Sequence, residues 1–176
     1  MRDKMNFVDL IKESAEKKIK YTFHALDEMN EEDEIITTDE VRLVVLNGEI
    51  IEDYPDDKRG HSCLMLGIPN DKRPVHVVCA PKDEYLAIYT NIEEMGDRFQ
   101  NQEEGKMKCL LCKGKMEKTT VSYTVDRKGY HLFVERIPAY VCSQCGERYF
   151  DEKETKAIQN LIKTLEEKLQ DVLVAA

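Results

Sequence analysis

The chain has 176 residues, 41% hydrophobic and 35% charged, with a formal net charge of −9. That length suits one ordinary domain or two small ones, and no apolar run approaches the roughly 18 residues of a membrane span. Residues 1–104 carry 13 Lys/Arg against 25 Asp/Glu (−12) and residues 105–176 carry 13 against 10 (+3), so the mean field of the first part repels nucleic acid.

The N-terminus lacks an apolar signal core. Phe7, Leu10, Ile11 and Ala15 recur at helical spacing and predict an amphipathic helix over about residues 3–18. A short strand, "IKYTF", and a turn of helix, "HALDEM", follow. In "TTDEVRLVVLNGE", Thr37 and Glu40 form the spacing of a capping box and Gly48 marks the helix end. Four extended runs come next, "EIIEDY", "HSCLMLGI", "PVHVVCA" and "YLAIYT", separated by "PDDKRG", "PNDKR" and "PKDE", each a hairpin-turn composition. This first unit reads as helices on one face of an antiparallel meander. The polar stretch between Gly96 and Gly105 reads as a linker, with a boundary near residues 97–106.

Beyond it, C-x-x-C occurs at Cys109/Cys112 and again at Cys142/Cys145. Between them, "TTVSYTVD" and "YHLFVERI" around "RKG" predict a hairpin. Two knuckles at the ends of a hairpin converge four thiolates on one ion. Such a set suits a closed, structural zinc site, one ion per chain, with iron the next candidate. In a reducing cytosol, where we expect this protein, paired C-x-x-C motifs point to metal before disulfides. Lys108, Lys113 and Lys115 are expected to soften the charge of the thiolates. Cys63 and Cys79 lie in strands and read as buried apolar residues, and His131 is a spare donor beside a complete set. Asp151 and Glu154 suggest a capped helix running to about Leu173. Its stripe of Ile158, Ile162, Leu165, Leu169 and Val172 is the expected interface of a homodimer. Because the linker separates two cores, losing Cys112 is expected to unfold the second unit first and to leave the first largely folded.

From Met107 to about Leu169, "MKCLLCKGKM", a hairpin, "YVCSQCGERYFDEKE" and one helix together resemble the YgiT-type zinc finger, the N-terminal module of MqsA-like antitoxins. The resemblance implies a structural zinc on the four cysteines and a module that engages a toxin. The family's helix-turn-helix follows this helix. The chain ends at Ala176, so operator binding is not expected. "YTFHALDEM…DEVRLVVLNGEIIEDYPDD…SCLMLGI…RPVHVV" is similar to a domain of unknown function related to the RelE and BrnT toxins, compact α+β domains that cleave RNA.

The expected fold is therefore α+β: a RelE-like helix-plus-antiparallel-sheet domain over 1–98, then a four-cysteine zinc ribbon with a C-terminal helix over 106–176. The leading function is a non-catalytic binding or regulatory protein of the toxin–antitoxin type, with a toxin- or antitoxin-like protein partner. The alternative is an mRNA interferase restrained by its own zinc module. Metal-independent RNA cleavage needs a base, a phosphate-binding cation and an acid, for which the candidates are His24, Arg59, His61, Arg73 and His76. Against that alternative stand the −12 charge and the acidic "DEMNEEDE" where such relatives place an arginine after the HAL motif.

Overall fold

The computed structural model describes residues 6–31, 35–71, 73–89, 107–127 and 129–174. Helix α1 (Phe7–Lys17) leads into strand β1 (Ile19–Thr22) and helix α2 (Phe23–Met29). The Thr22 hydroxyl caps α2 by accepting from the Ala25 amide at 3.1 Å. Helix α3 (Thr38–Asn47) opens with the expected capping box, in which the Glu40 carboxylate accepts from the Thr37 amide and the Thr37 hydroxyl accepts from the Glu40 amide. Gly48 ends α3 for a reason other than a left-handed turn. Its φ is −74°, and a Cβ there would lie 2.6 Å from the carbonyl oxygens of both Leu66 and Val44.

The meander follows as β2 (Glu49–Tyr54), β3 (Ser62–Gly67), β4 (Val75–Pro81) and β5 (Leu86–Tyr89). After the first cysteine pair come β6 (Met116–Arg127), β7 (Tyr130–Cys142), β8 (Arg148–Asp151) and helix α4 (Glu152–Val174). Among the described residues all eight strands form one sheet, in the order β2-β3-β4-β5-β1-β8-β7-β6. The neighbours are antiparallel except β1 and β5, which run parallel.

The seam between the two parts of the chain is β1 against β8, with Lys20 opposite Asp151, Tyr21 opposite Phe150 and Thr22 opposite Tyr149. Residues 97–106, the expected linker, lie outside the described residues. The described residues on either side of it share a sheet and a core.

Strand alternation assigns the two faces. Val75, Val77, Cys79, Leu86 and Ile88 point to the face covered by α1 and α3. Val78, Ala80, Ala87 and Tyr89 point to the other, where they pack with Cys109, Leu110, Met116, Cys142 and Tyr149. The cysteine-bearing segments thus cover the second face of the meander. Helix α4 lies on the helical face, and Ile158 and Ile162 pack with Leu26, Tyr123, Ile137 and Phe150. Polar contacts fasten it to α3: Arg42 forks onto Glu152 at 3.0 and 2.5 Å, and Lys156 reaches Asp39 at 2.7 Å. Gln159 accepts from the Thr38 amide and donates to the Ile36 carbonyl.

One detail of the helix readings changes. Leu10 is exposed while Ser14 is buried in α1, donating to the Lys82 carbonyl at 3.0 Å. Asp151 closes β8, and its carboxylate takes Lys20 at 2.6 Å and Lys18 at 2.8 Å. Of the expected interface, Ile158 and Ile162 are consumed inside the chain, Leu165 and Leu169 are half-buried, and the Val172 side chain lies outside the described residues.

Candidate metal centre

The two knuckles are built alike. In the first, the Cys109 amide donates to the Gly114 carbonyl and the Lys113 amide to the Cys109 carbonyl; in the second, the Cys142 amide donates to Glu147 and the Gly146 amide to Cys142. The fourth residue after each leading cysteine is left-handed, Lys113 at φ 62° and Gly146 at φ 80°. Each turn aims an amide at a sulfur: Gly114 N–H at Cys112 Sγ and Gln144 N–H at Cys142 Sγ, both at 3.4 Å. Amide donors of this kind orient thiolate ligands and spread their charge.

The four sulfurs all lie within 4.8 Å of one another, with Cys109 to Cys145 at 3.5 Å and Cys112 to Cys142 at 3.4 Å. A tetrahedron with bonds of about 2.3 Å has edges of about 3.8 Å, inside that range. Gly114 permits the approach: a Cβ there would sit 2.8 Å from Cys142 Sγ and 3.2 Å from Cys112 Sγ.

Without a cation the thiols resist joint ionisation. Burial pushes Cys109 and Cys145 up. Cys142 also feels burial, but the Cys145 and Gln144 amides and the Cys112 thiol outweigh it and bring it to about 7. A divalent ion removes this conflict by stabilising all four as thiolates. The four cysteines therefore form a cluster that could hold a metal ion such as zinc.

Tyr149, which the motif reading missed, ties the centre to β8. Its buried hydroxyl accepts from the Leu110 amide at 2.8 Å and lies 3.9 Å from Cys109 Sγ. A tyrosine four residues after the last cysteine, in a strand with no other signal, is the only sequence trace of that role.

Residues 21–93 match a family described as a domain of unknown function, DUF4258. No curated protein and no solved structure matches the chain. The DUF4258 segment runs from inside β1 through the meander, and the cysteine cluster packs on its outer face without being part of the match.

The five candidates for RNA cleavage lie in this segment. His24 is exposed on α2, edge-on to Phe23. His61 stacks on Phe7 of α1 at 3.4 Å, with Nε2 2.5 Å from Asp53. Arg73 donates to the Ile35 carbonyl at 2.7 Å and lies 3.8 Å from Glu40. His76 is exposed on β4 and lines a cavity of 220 Å³ with Glu28 and Glu31. Arg59 is buried in the β2–β3 turn, Nε on Asp57, its guanidinium 4.5 Å above the Tyr89 ring.

The other sequence-selected residues are also placed. His131 pairs with Asp126 near the hairpin turn, at the opposite end from the cysteines. Lys115 pairs with Glu117 at 2.8 Å, and Lys108 bridges to Lys115 through the backbone. Cys63 and Cys79 are buried register partners with sulfurs 3.8 Å apart, both free thiols. Among the described residues, no helix is long and apolar enough to cross a membrane.

Proposed function

We propose that this is a zinc-binding, toxin–antitoxin-related regulatory protein without catalytic activity, in which a RelE/BrnT-like domain carries a YgiT-type zinc module. The observation that supports it is the four-sulfur cluster. Four protein sulfurs complete a tetrahedral shell and leave no position for water or substrate, so the ion is structural: one zinc per chain, with iron the competing metal. Paired C-x-x-C motifs that hold a metal rather than forming disulfides fit a reducing, cytoplasmic setting. A non-catalytic role agrees with the scatter of His24, Arg59, His61, Arg73 and His76 over both faces of the sheet, and with the acidic company of His76. The module's role is to recognise a toxin- or antitoxin-like protein.

The deciding experiment incubates the chain with RNA at low salt, both zinc-loaded and after chelation of the zinc, because an interferase restrained by its zinc module is silent in the loaded form alone. The expected result is no cleavage. Cleavage that disappears in His76→Ala or Arg73→Ala would replace this reading with an mRNA interferase. A homodimer through α4 is part of the proposal and is confined to Leu165, Leu169 and the turns beyond, because Ile158 and Ile162 are already covered.

A further inference from the structure

The cysteines fall into two sets. Four make the candidate metal centre. The other two, Cys63 on β3 and Cys79 on β4, stand directly opposite each other in the antiparallel ladder. Both point to the face covered by α1 and α3. Their sulfurs are 3.8 Å apart, and both are free thiols. Opposed residues of an antiparallel pair have Cα atoms about 4.5–5.5 Å apart, inside the roughly 4.4–6.8 Å that a disulfide spans. Small side-chain rotations therefore bring these sulfurs to bonding distance without moving the strands. Packing alone asks for a small apolar side chain at each position; it does not ask for sulfur at both.

Both sulfurs are 0% exposed in the closed fold, so an oxidant enters through a local opening. The sheet has a weak place beside the pair. β3 lies one strand in from the edge, and its outer neighbour is β2. That edge strand is six residues long and mostly exposed, and its register with β3 breaks between Ile50 and Glu52. A short, bulged, solvated edge strand is among the first elements to fray. β2 places Asp53 opposite Cys63, so its lifting uncovers the Cys63 side of the pair. Cys79 stays flanked by β3 and by Ile88 of β5. The thiols are also unlike. Hydrogen bonding from Cys79 draws Cys63 down against the effect of burial, and the same bond together with burial pushes Cys79 up. The nucleophile in thiol chemistry is the thiolate, and Cys63 is the better placed to supply it.

We propose that Cys63 and Cys79 are a peroxide-sensitive dithiol that closes to a disulfide between β3 and β4. The Cys63 thiolate attacks one oxygen of a small hydroperoxide. An S–O bond forms, the O–O bond breaks, and the departing oxygen takes up the proton that Cys63 released, leaving as water when the oxidant is hydrogen peroxide. Cys79 then attacks the sulfur of the Cys63 sulfenic acid. The S–S bond forms, the S–O bond breaks, and hydroxide leaves with the Cys79 proton as a second water. The two sulfurs give up two electrons and the peroxide gains them. A thiol reductant reverses the closure by exchange. The pair and the four-cysteine cluster belong to cores on opposite faces of the sheet, so the disulfide closes while the other set keeps its ion. The inference is independent of the toxin–antitoxin reading.

The test treats the purified full chain with hydrogen peroxide and follows its metal content in parallel. Catalase stops the reaction, N-ethylmaleimide blocks the remaining thiols in denaturant, and the chain is digested without reductant for mass spectrometry. The expected product joins the peptides of Cys63 and Cys79, two hydrogens lighter than their sum, while the metal stays bound. Dithiothreitol should separate them. Cys79→Ala should lose the joined product and leave Cys63 as a sulfenic acid that dimedone traps. The wild-type product is decisive by itself should Cys79→Ala fail to fold. Cys63 and Cys79 both alkylated, at a peroxide level that already oxidises the exposed Cys145, would overturn the proposal. So would a joined product that appears only after the metal has left, because that reports an unfolded chain, or a disulfide from Cys63 to a knuckle cysteine.

Discussion

Lys113 and Gly146 occupy equivalent places in the two knuckles and share a left-handed backbone. A side chain in that region costs roughly 1 kcal/mol. Lys113→Gly should therefore stabilise the protein by about that amount in chemical denaturation, with metal content unchanged. Gly114→Ala should do the opposite. Its Cβ would push apart sulfurs of both knuckles, costing on the order of 1–3 kcal/mol and lowering metal affinity in competition with a chelator. The ligand set was legible because C-x-x-C spacing is local. The strained lysine was legible too, had "CLLCKG" been laid over "CSQCGE": the first has Lys where the second has Gly. Arg59 was selected as a cleavage candidate, but its burial depends on Tyr89, thirty residues on, which no local pattern reveals.

Among elements, the pairing of β1 with β8 joins the two parts of the chain, and its polar link is Lys20 with Asp151. Lys20 is 4% exposed and lies 3.7 Å over the Tyr140 ring. Burial depresses its ammonium by more than Asp151 restores. Burial also works against the Asp151 carboxylate, but Lys18 and Lys20 outweigh it and hold Asp151 below the usual 3.8. Asp151→Asn leaves Lys20 buried beside a neutral group and should cost about 3 kcal/mol. The pH dependence has a definite sign. The folded value of Asp151 is below the unfolded one, so its contribution is complete above the ordinary carboxylate range. It is lost as pH falls through the folded value. Acid denaturation should accordingly be less steep in Asp151→Asn than in wild type.

The sequence showed β1 and the four-strand meander because their runs are apolar and bounded by turn residues. It hid β8, a four-residue strand that pairs with β7 just before it and with β1 about 130 residues away. The cover on both faces of the meander does have a local trace: "VVCA" and "LAIY" are continuously apolar where a half-exposed strand alternates.

At the scale of the molecule, the cysteine cluster belongs to a core shared by both parts of the chain. Val78, Ala80, Tyr85, Ala87 and Tyr89 pack with Cys109, Leu110, Met116, Cys142 and Tyr149. That shared core argues against the expectation that the first unit stays largely folded when Cys112 is lost. Cys112→Ser, or chelation, should lower the stability of the whole chain in a single transition, with circular dichroism and tyrosine fluorescence changing together. Two separated transitions would show independent units.

Helix α4, at about 1.5 Å per residue, spans roughly 34 Å, and its first half is held by α3 and the hairpin. If its second half joins two copies, Leu165→Glu with Leu169→Glu should convert a sedimenting dimer to a monomer. A wild-type monomer at tens of micromolar, about the range in which a stable interface stays assembled, would reject the dimer. The central claim is that four cysteines, 109, 112, 142 and 145, close on one structural metal. Elemental analysis of freshly purified protein tests it most directly: the expected result is one zinc per chain, lost in Cys112→Ser, and a wild-type chain free of both zinc and iron would contradict it.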